Sequence, residues 1–387
     1  MRIKSAGCTL LLLIGVLRPV PASAAPCYAA LYPGKTGGAR IQNAIHDVGC
    51  STIYVDPVGP DGGNWNMETP ITLTRSNVAV RSLDENRLPT LVATGTAWPG
   101  FAGMIIVDGQ SEILFHRINL QGQKHSYNGF WVRNASRVTI EAGVTAGNIY
   151  HGIHANQACS HIEIAWNLFT DNGRIDVRTD TPDGSYHTNI DVHNNSMYGT
   201  LYGVALANCG GGSTLLRCTV VQNTIQPKKG TQPTDGSGID LNRAPYALVA
   251  GNTITGAAGY FCLSGIECQP GRGITVDDTQ NPLITNNGVE GAMQYGIVLA
   301  NGAVASNRPW WLSGATVSGN TVRNNGDVGL LDARDPSDSK DHNTGNLFKD
   351  NIISGNGRSG CYSNAQKTTF SGNGPQVCPP QGKNPRQ

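Results

Sequence analysis

The chain has 387 residues, and its 28 Lys and Arg nearly balance 27 Asp and Glu for a net charge of +1, so it lacks the electrostatic footprint of a nucleic-acid binder. Charged residues are only 14% of the chain and Gly numbers 49. The repeats described below run through without a Pro, Ser or Gly-rich linker, so one domain is expected over 25–375, followed by a polar tail at 376–387.

The amino terminus reads as an export signal. Met1-Arg2-Ile3-Lys4 is positive, Leu10 to Leu17 is apolar, and Pro21-Ala22-Ser23-Ala24 offers a small-x-small site with cleavage after Ala24. The apolar run is far short of the ~20 residues that span a bilayer, so a secreted or periplasmic protein without membrane insertion is expected. Nine Cys remain after Cys8 departs with the signal. Their spacing predicts disulfides Cys27 with Cys50, Cys209 with Cys218, Cys262 with Cys268 and Cys361 with Cys378, leaving Cys159 as a buried free thiol. No C-x-x-C occurs, which argues against structural zinc.

Gly37-Gly38-Ala39-Arg40-Ile41-Gln42-Asn43-Ala44-Ile45 spaces its apolar residues for one short helix, and Ser51 to Pro57 follows as a strand. Pro70 to Val80 and Ile105 to Leu120 read as the first coils of a stack. From there Gly-Ile-x-aliphatic recurs as Gly129-Phe130-Trp131-Val132, Gly152-Ile153-His154-Ala155, Gly203-Val204-Ala205-Leu206, Gly238-Ile239-Asp240-Leu241, Gly273-Ile274-Thr275-Val276, Gly296-Ile297-Val298-Leu299 and Gly329-Leu330-Leu331-Asp332. A half-match, Gly173-Arg174-Ile175-Asp176-Val177, fills one gap. The steps of 23, 21, 30, 35, 35, 23 and 33 residues describe a base period near 22 with insertions, which is the signature of a solenoid. An interleaved series at Asn148, Asn167, Asn195, Asn223, Asn252, Asn287, Asn320 and Asn351 places a turn residue before each short apolar strand, where amides of successive coils can stack.

These alternating motifs resemble the right-handed parallel β-helix repeats of the pectate-lyase-like superfamily. The resemblance implies an all-β, single-stranded right-handed parallel β-helix whose Ile41 to Ile45 helix caps the first coil. It covers nearly all of the mature chain. A core filled by the inward residues leaves chemistry to the outward positions and inserted loops. One outward column is then expected to run Trp131, His154, Asp176, Ala205, Asp240, Thr275, Val298 and Leu331, and its neighbour Arg133, Asn156, Arg178, Ala207, Asn242, Asp277, Ala300 and Ala333. Polar and aromatic groups stop at Asp278, so the strip suits an extended polymer.

His151 and His154 sit on one predicted strand with Asp176 and Arg178 on the next, an arrangement suited to proton transfer near neutral pH. Asp240 and the pair Asp277-Asp278 suit either the two carboxyls of an inverting hydrolase or a Ca²⁺ site. Arg178 and Arg243, with Arg174 and Arg133, supply the charge that would neutralise a uronate carboxylate. Trp131, Trp310 and Trp311 are candidate sugar platforms, and the long steps imply loops at 180–187, 209–218, 227–237, 260–268 and 307–311 that wall a cleft. The chain departs from the glycosidases of this fold, since Asn-Thr-Asp and Arg-x-Lys are missing and the His coil precedes the Asp coils. It also lacks the Asp-Pro-His-Glu of alginate epimerases and a Lys in the strip.

The expectation is a monomeric enzyme on an acidic polysaccharide, acting as a lyase by β-elimination. In that scheme Arg178 and Arg243 hold the carboxylate, His154 moves the proton, and Asp240 orients or binds a cation. Asp277 is expected to be catalytic as well; His151, Trp131, Arg133, Asp176, Asn242, Trp310 and Trp311 bind substrate. The alternatives are an inverting hydrolase using Asp240 and Asp277, or a non-catalytic glycan-binding surface protein.

Overall fold

The computed structural model describes residues 26–378, apart from 99, 101, 182–184, 212, 228–235, 258–259, 262–268, 301–310, 334–342 and 366. Three long sheets of 13, 11 and 12 strands run side by side, and every pairing within them is parallel between successive coils, so each turn of chain contributes one strand to each sheet. This is a parallel β-helix. The Gly-Ile-x-aliphatic motifs fall on the eleven-stranded sheet, where Ile105, Phe130, Ile153, Val177, Val204, Ile239, Ile274, Ile297 and Leu330 are stacked one above another and buried. Burying each such side chain is worth roughly 1.5–3 kcal/mol before entropy is counted. The motif glycine has a steric cause: a Cβ on Gly203 would stand 2.5 Å from Cγ2 of Ile225 and 2.9 Å from the carbonyl oxygen of Gly238 on the next coil.

One corner of the prism is uniform. From His116 onward, every connection from the thirteen-stranded to the twelve-stranded sheet is two residues long. The first residue is left-handed, at φ between 54° and 65°, in all ten cases from Arg117 to Gly372. From Asn167 on, the second is Asn, and each of these amides donates to the Oδ1 of the next, through Asn195, Asn223, Asn252, Asn287, Asn320, Asn351 and Asn373. The same Nδ2 groups also donate to backbone carbonyls, for example Asn223 to Val192 at 2.8 Å. Asn148 stands apart from this series. It donates to Asn172 at 2.8 Å in a second, shorter ladder, so the expected single Asn column is two.

The helix Gly37–His46 covers the first coil as expected: Thr36 caps it through Oγ1, and Ile41, Ala44 and Ile45 are buried in the cluster that holds Trp65, Met67 and Ile71. Disulfides join Cys27 to Cys50, Cys209 to Cys218 and Cys361 to Cys378. Cys159 is free and buried, and burial pushes its thiol up to about 11, which keeps it unreactive. The expected pair of Cys262 and Cys268 lies outside the described residues.

The register corrects one coil. Ile153 pairs with Val177 and His154 with Arg178, so the half-match at Gly173 is set two residues early. Asp176 therefore takes the place of a motif glycine and is fully buried, not outward. There it accepts from Asn172 Nδ2 at 2.9 Å and Thr200 Oγ1 at 2.7 Å, and burial pushes its carboxyl up to about 8 against those two hydrogen bonds.

Candidate functional site

With the register corrected, the outward columns of the eleven-stranded sheet read Trp131, His154, Arg178, Ala205, Asp240 and Thr275, beside Arg133, Asn156, Asp180, Ala207, Asn242 and Asp277. Coils rise ~4.8 Å apart, so three steps separate His154 from Asp240 by ~14 Å. The residues expected to act together on one bond thus fall into two clusters, divided by an alanine coil.

The first cluster centres on Asp180, which the expected columns omit. Its Oδ1 meets Nε2 of His154 at 3.0 Å and takes the Asn156 amide at 2.6 Å, while Oδ2 takes Nε of Arg178 at 2.7 Å. Burial alone would raise this carboxyl, but the hydrogen bond and charge of His154, with Arg178 and Asn156, hold it well below the usual carboxylate range. Fully buried His187 fixes the backbone beneath: its Nδ1 faces the Cys159 N–H at 3.2 Å and its Nε2 the Asp180 carbonyl at 3.0 Å. Those partners assign the ring proton to Nε2.

His151 packs edge-on against His154, ring centroids 5.1 Å apart. Burial, then the neighbouring charges of His154, Arg178 and Arg174, push His151 down to about 2, so it is neutral. Both histidines are nearly covered, and Nδ1 of each is shielded from solvent with no hydrogen-bond partner among the described residues. At the far end of the strip Arg133 stacks 4.5 Å over Trp131 and pairs with Asp108, so one indole face is already occupied.

The alanine coil forms the floor of a depression of about 190 Å³. Its walls are Arg174, Arg178 and Tyr202 on one side and Asp240 and Asn242 on the other. Pockets for whole ligands run to roughly 300–1,000 Å³, so this one fits a single unit of a longer molecule. Beyond it lies the second cluster, where Asp277 on the next coil stands diagonal to Asp240. Asp277 keeps some exposed surface, yet it is crowded enough that burial raises its pKa first, and the Asp240 carboxylate raises it further against the pull of Arg272. The like charge of Asp240 one coil away acts on Asp277 whatever its exposed area.

Arg243 sits in the turn after its strand, at φ 51°, rather than in the outward columns. Trp311 is 38% exposed, while Trp310 lies outside the described residues. Among the described residues the one trio of ligand-type atoms within 4.8 Å is Cys27, Asp47 and Cys50, whose sulfurs are joined as a disulfide. Asp180 was recoverable only from the correct register. The alternation Ile175, Val177, Thr179 fits two alignments that differ by two residues, so the apolar pattern does not choose between them.

A family model described as "Right handed beta helix region" matches residues 186–340. No curated protein matches the sequence. Solved structures similar to this chain include a mannuronan C-5 epimerase A-module from Azotobacter vinelandii, at 16% identity over 92% of this chain and 100% of that one, with a TM-score of 0.54. The catalytic domain of a GH87 α-1,3-glucanase is similar at 15% identity over 92% of this chain and 69% of that one, TM-score 0.59. A periplasmic alginate epimerase is similar at 15% over 83% and 76%, TM-score 0.51. The glucanase is seen with tetrasaccharides in two variants, each with one of two consecutive aspartates replaced by alanine. These likenesses establish the architecture and its hand.

Proposed function

We propose that this right-handed parallel β-helix protein is an exported carbohydrate-active enzyme that hydrolyses an acidic polysaccharide laid across its eleven-stranded sheet. The observation that carries this reading is the pairing of Asp277, whose pKa is raised, with Asp240 one coil away. A carboxyl that keeps its proton beside a second carboxyl provides an acid and a base at one pH. Asp277 donates its proton to the glycosidic oxygen as that C–O bond breaks. Asp240 takes a proton from the water whose oxygen bonds to the anomeric carbon.

The depression beside this pair holds the neighbouring sugar on Ala205 and Ala207, with the guanidinium groups of Arg174 and Arg178 facing its carboxylate. Asp277-Asp278 is the sole pair of consecutive aspartates in the chain, a feature in keeping with the glucanase variants. The three disulfides suit an oxidising compartment.

β-Elimination is the second reading, favoured by the two arginines of the depression and the neutral imidazole of His151 close by. The hydrolase reading ranks above it because Asp180 already engages one nitrogen of His154 and the second is shielded. A screen over pectate, alginate, glycosaminoglycans and a neutral α-glucan, read for both new reducing ends and the ultraviolet absorbance of unsaturated uronates, separates the two. Reducing ends without that absorbance are expected from an acidic polymer, and their loss in Asp277→Asn. Absorbance growing with cleavage, or no cleavage of any polymer, overturns hydrolysis.

A further inference from the structure

The uniform corner holds one aromatic residue, Trp166. Backbone N–H groups of Ala142, Trp166, Asn194, Gln222, Gly251 and Asn286 make equivalent bonds to the next coil, so these six occupy one column. All are left-handed, a conformation that Gly and Asn adopt at little cost and a bulky side chain does not. Trp166 holds φ 59° there, and its indole is 63% exposed, so it does not repay that strain by filling the core. Its column neighbours Ala142 and Asn194 are too small to cover it. Strain kept at an exposed position points to use of the side chain.

A groove of about 400 Å³ lies on the strand that leads into this corner. Arg137, Thr139, His161, Glu163, Asn189 and Asp191 line it, with Thr139, Glu163 and Asp191 in register on three successive coils. Leu168, the first residue of the strand that leaves the corner, is also exposed. A row of hydroxyl, amide, carboxylate and imidazole groups, with an open indole three residues beyond Glu163 along the chain, matches the two sides of a sugar, whose hydroxyls need donors and acceptors and whose C–H face stacks on an aromatic ring. This groove belongs to the thirteen-stranded sheet, away from the depression over Ala205.

We propose that Trp166 and the groove of Thr139, Glu163 and Asp191 form a second, non-catalytic glycan-binding site that anchors the polymer outside the cleavage site. The identity of the ligand rests on the carbohydrate reading above. The test therefore uses full-length Asp277→Asn protein, which retains the polymer uncut, with and without Trp166→Asn or Trp166→Tyr, and measures affinity for each polymer of the screen. Trp166→Asn is expected to weaken binding about three- to tenfold, the scale of one aromatic contact, and to raise the melting temperature by relieving the strained corner. Trp166→Tyr is expected to restore most of the affinity without the rise.

Equal affinity in all three proteins overturns the second site and leaves the hydrolase reading standing. Weaker binding by Trp166→Asn, in a protein where Asp277→Asn still cleaves, supports the site while that reading fails. Binding of no polymer by any of the proteins overturns the second site. Concentration-dependent self-association that Trp166→Asn abolishes also overturns it, since the indole would then be a contact between copies.

Discussion

Nε2 of His154 and Oδ1 of Asp180 stand 3.0 Å apart on adjacent coils, and the same carboxylate also receives Arg178 and Asn156. One acidic side chain thus holds three outward groups in fixed positions. It holds Arg178, which lines the alanine-floored depression.

Removing that hub costs stability in a pH-dependent way. The folded pKa of Asp180 is depressed, so its contribution is present above the unfolded value near 3.9 and is lost as pH falls through the folded one. Asp180→Ala should destabilise the protein by about 2–3 kcal/mol at pH 7, since it leaves a guanidinium and an imidazole without their acceptor. The deficit should shrink towards pH 3 in urea titrations.

Asp176 should behave in the opposite sense. Its folded pKa is raised, so the folded state holds a proton that the unfolded chain has released, and stability falls as pH climbs from 3.8 to about 8. Asp176→Asn should remove that decline and make the protein more stable than wild type at pH 8. Parallel pH profiles for the two proteins would contradict the burial of a protonated carboxyl.

The Asn ladder gives a third expectation. Asn223 is 1% exposed, donates to Val192 and Asn252, and accepts from Asn195. Asn223→Ala should cost about 3 kcal/mol, because buried partners lose their hydrogen bonds together. Asn223→Asp should be no better at neutral pH, since a carboxylate cannot donate up the ladder.

Asp277→Asn should lower kcat by about 10²–10⁴, the usual share of a general acid, with little change in melting temperature. Because the acid works in its protonated form, the raised pKa of Asp277 should set the alkaline limb of the wild-type rate profile. A profile unchanged in Asp277→Asn would place the acid elsewhere.

The sequence carried the architecture because the core column repeats its chemistry at every coil. Ile153, Val204 and Ile239 announce inward positions wherever they occur, and Ile41 and Ile45 mark the short helix by their spacing. The site was less legible for the same reason. Alternation does not fix the offset of a strand by two, so the sequence pattern places Asp176 where Arg178 stands and does not single out Asp180. Burial of a carboxyl, as at Asp176, depends on Asn172 and Thr200 from different turns and leaves no local mark.

The constant two-residue corner has a consequence for how such a protein can be altered. Its ten copies admit no change of length, because one added residue would shift an amide out of its ladder and break the pitch for every later coil. The other two corners tolerate connections from two residues, at 134–135, to sixteen, at 256–271. Both of those corners border the eleven-stranded sheet. The molecule therefore resembles a bound volume, sewn along one edge and free at the others: connections at the two open edges can vary in length while the stitching holds the pages in order.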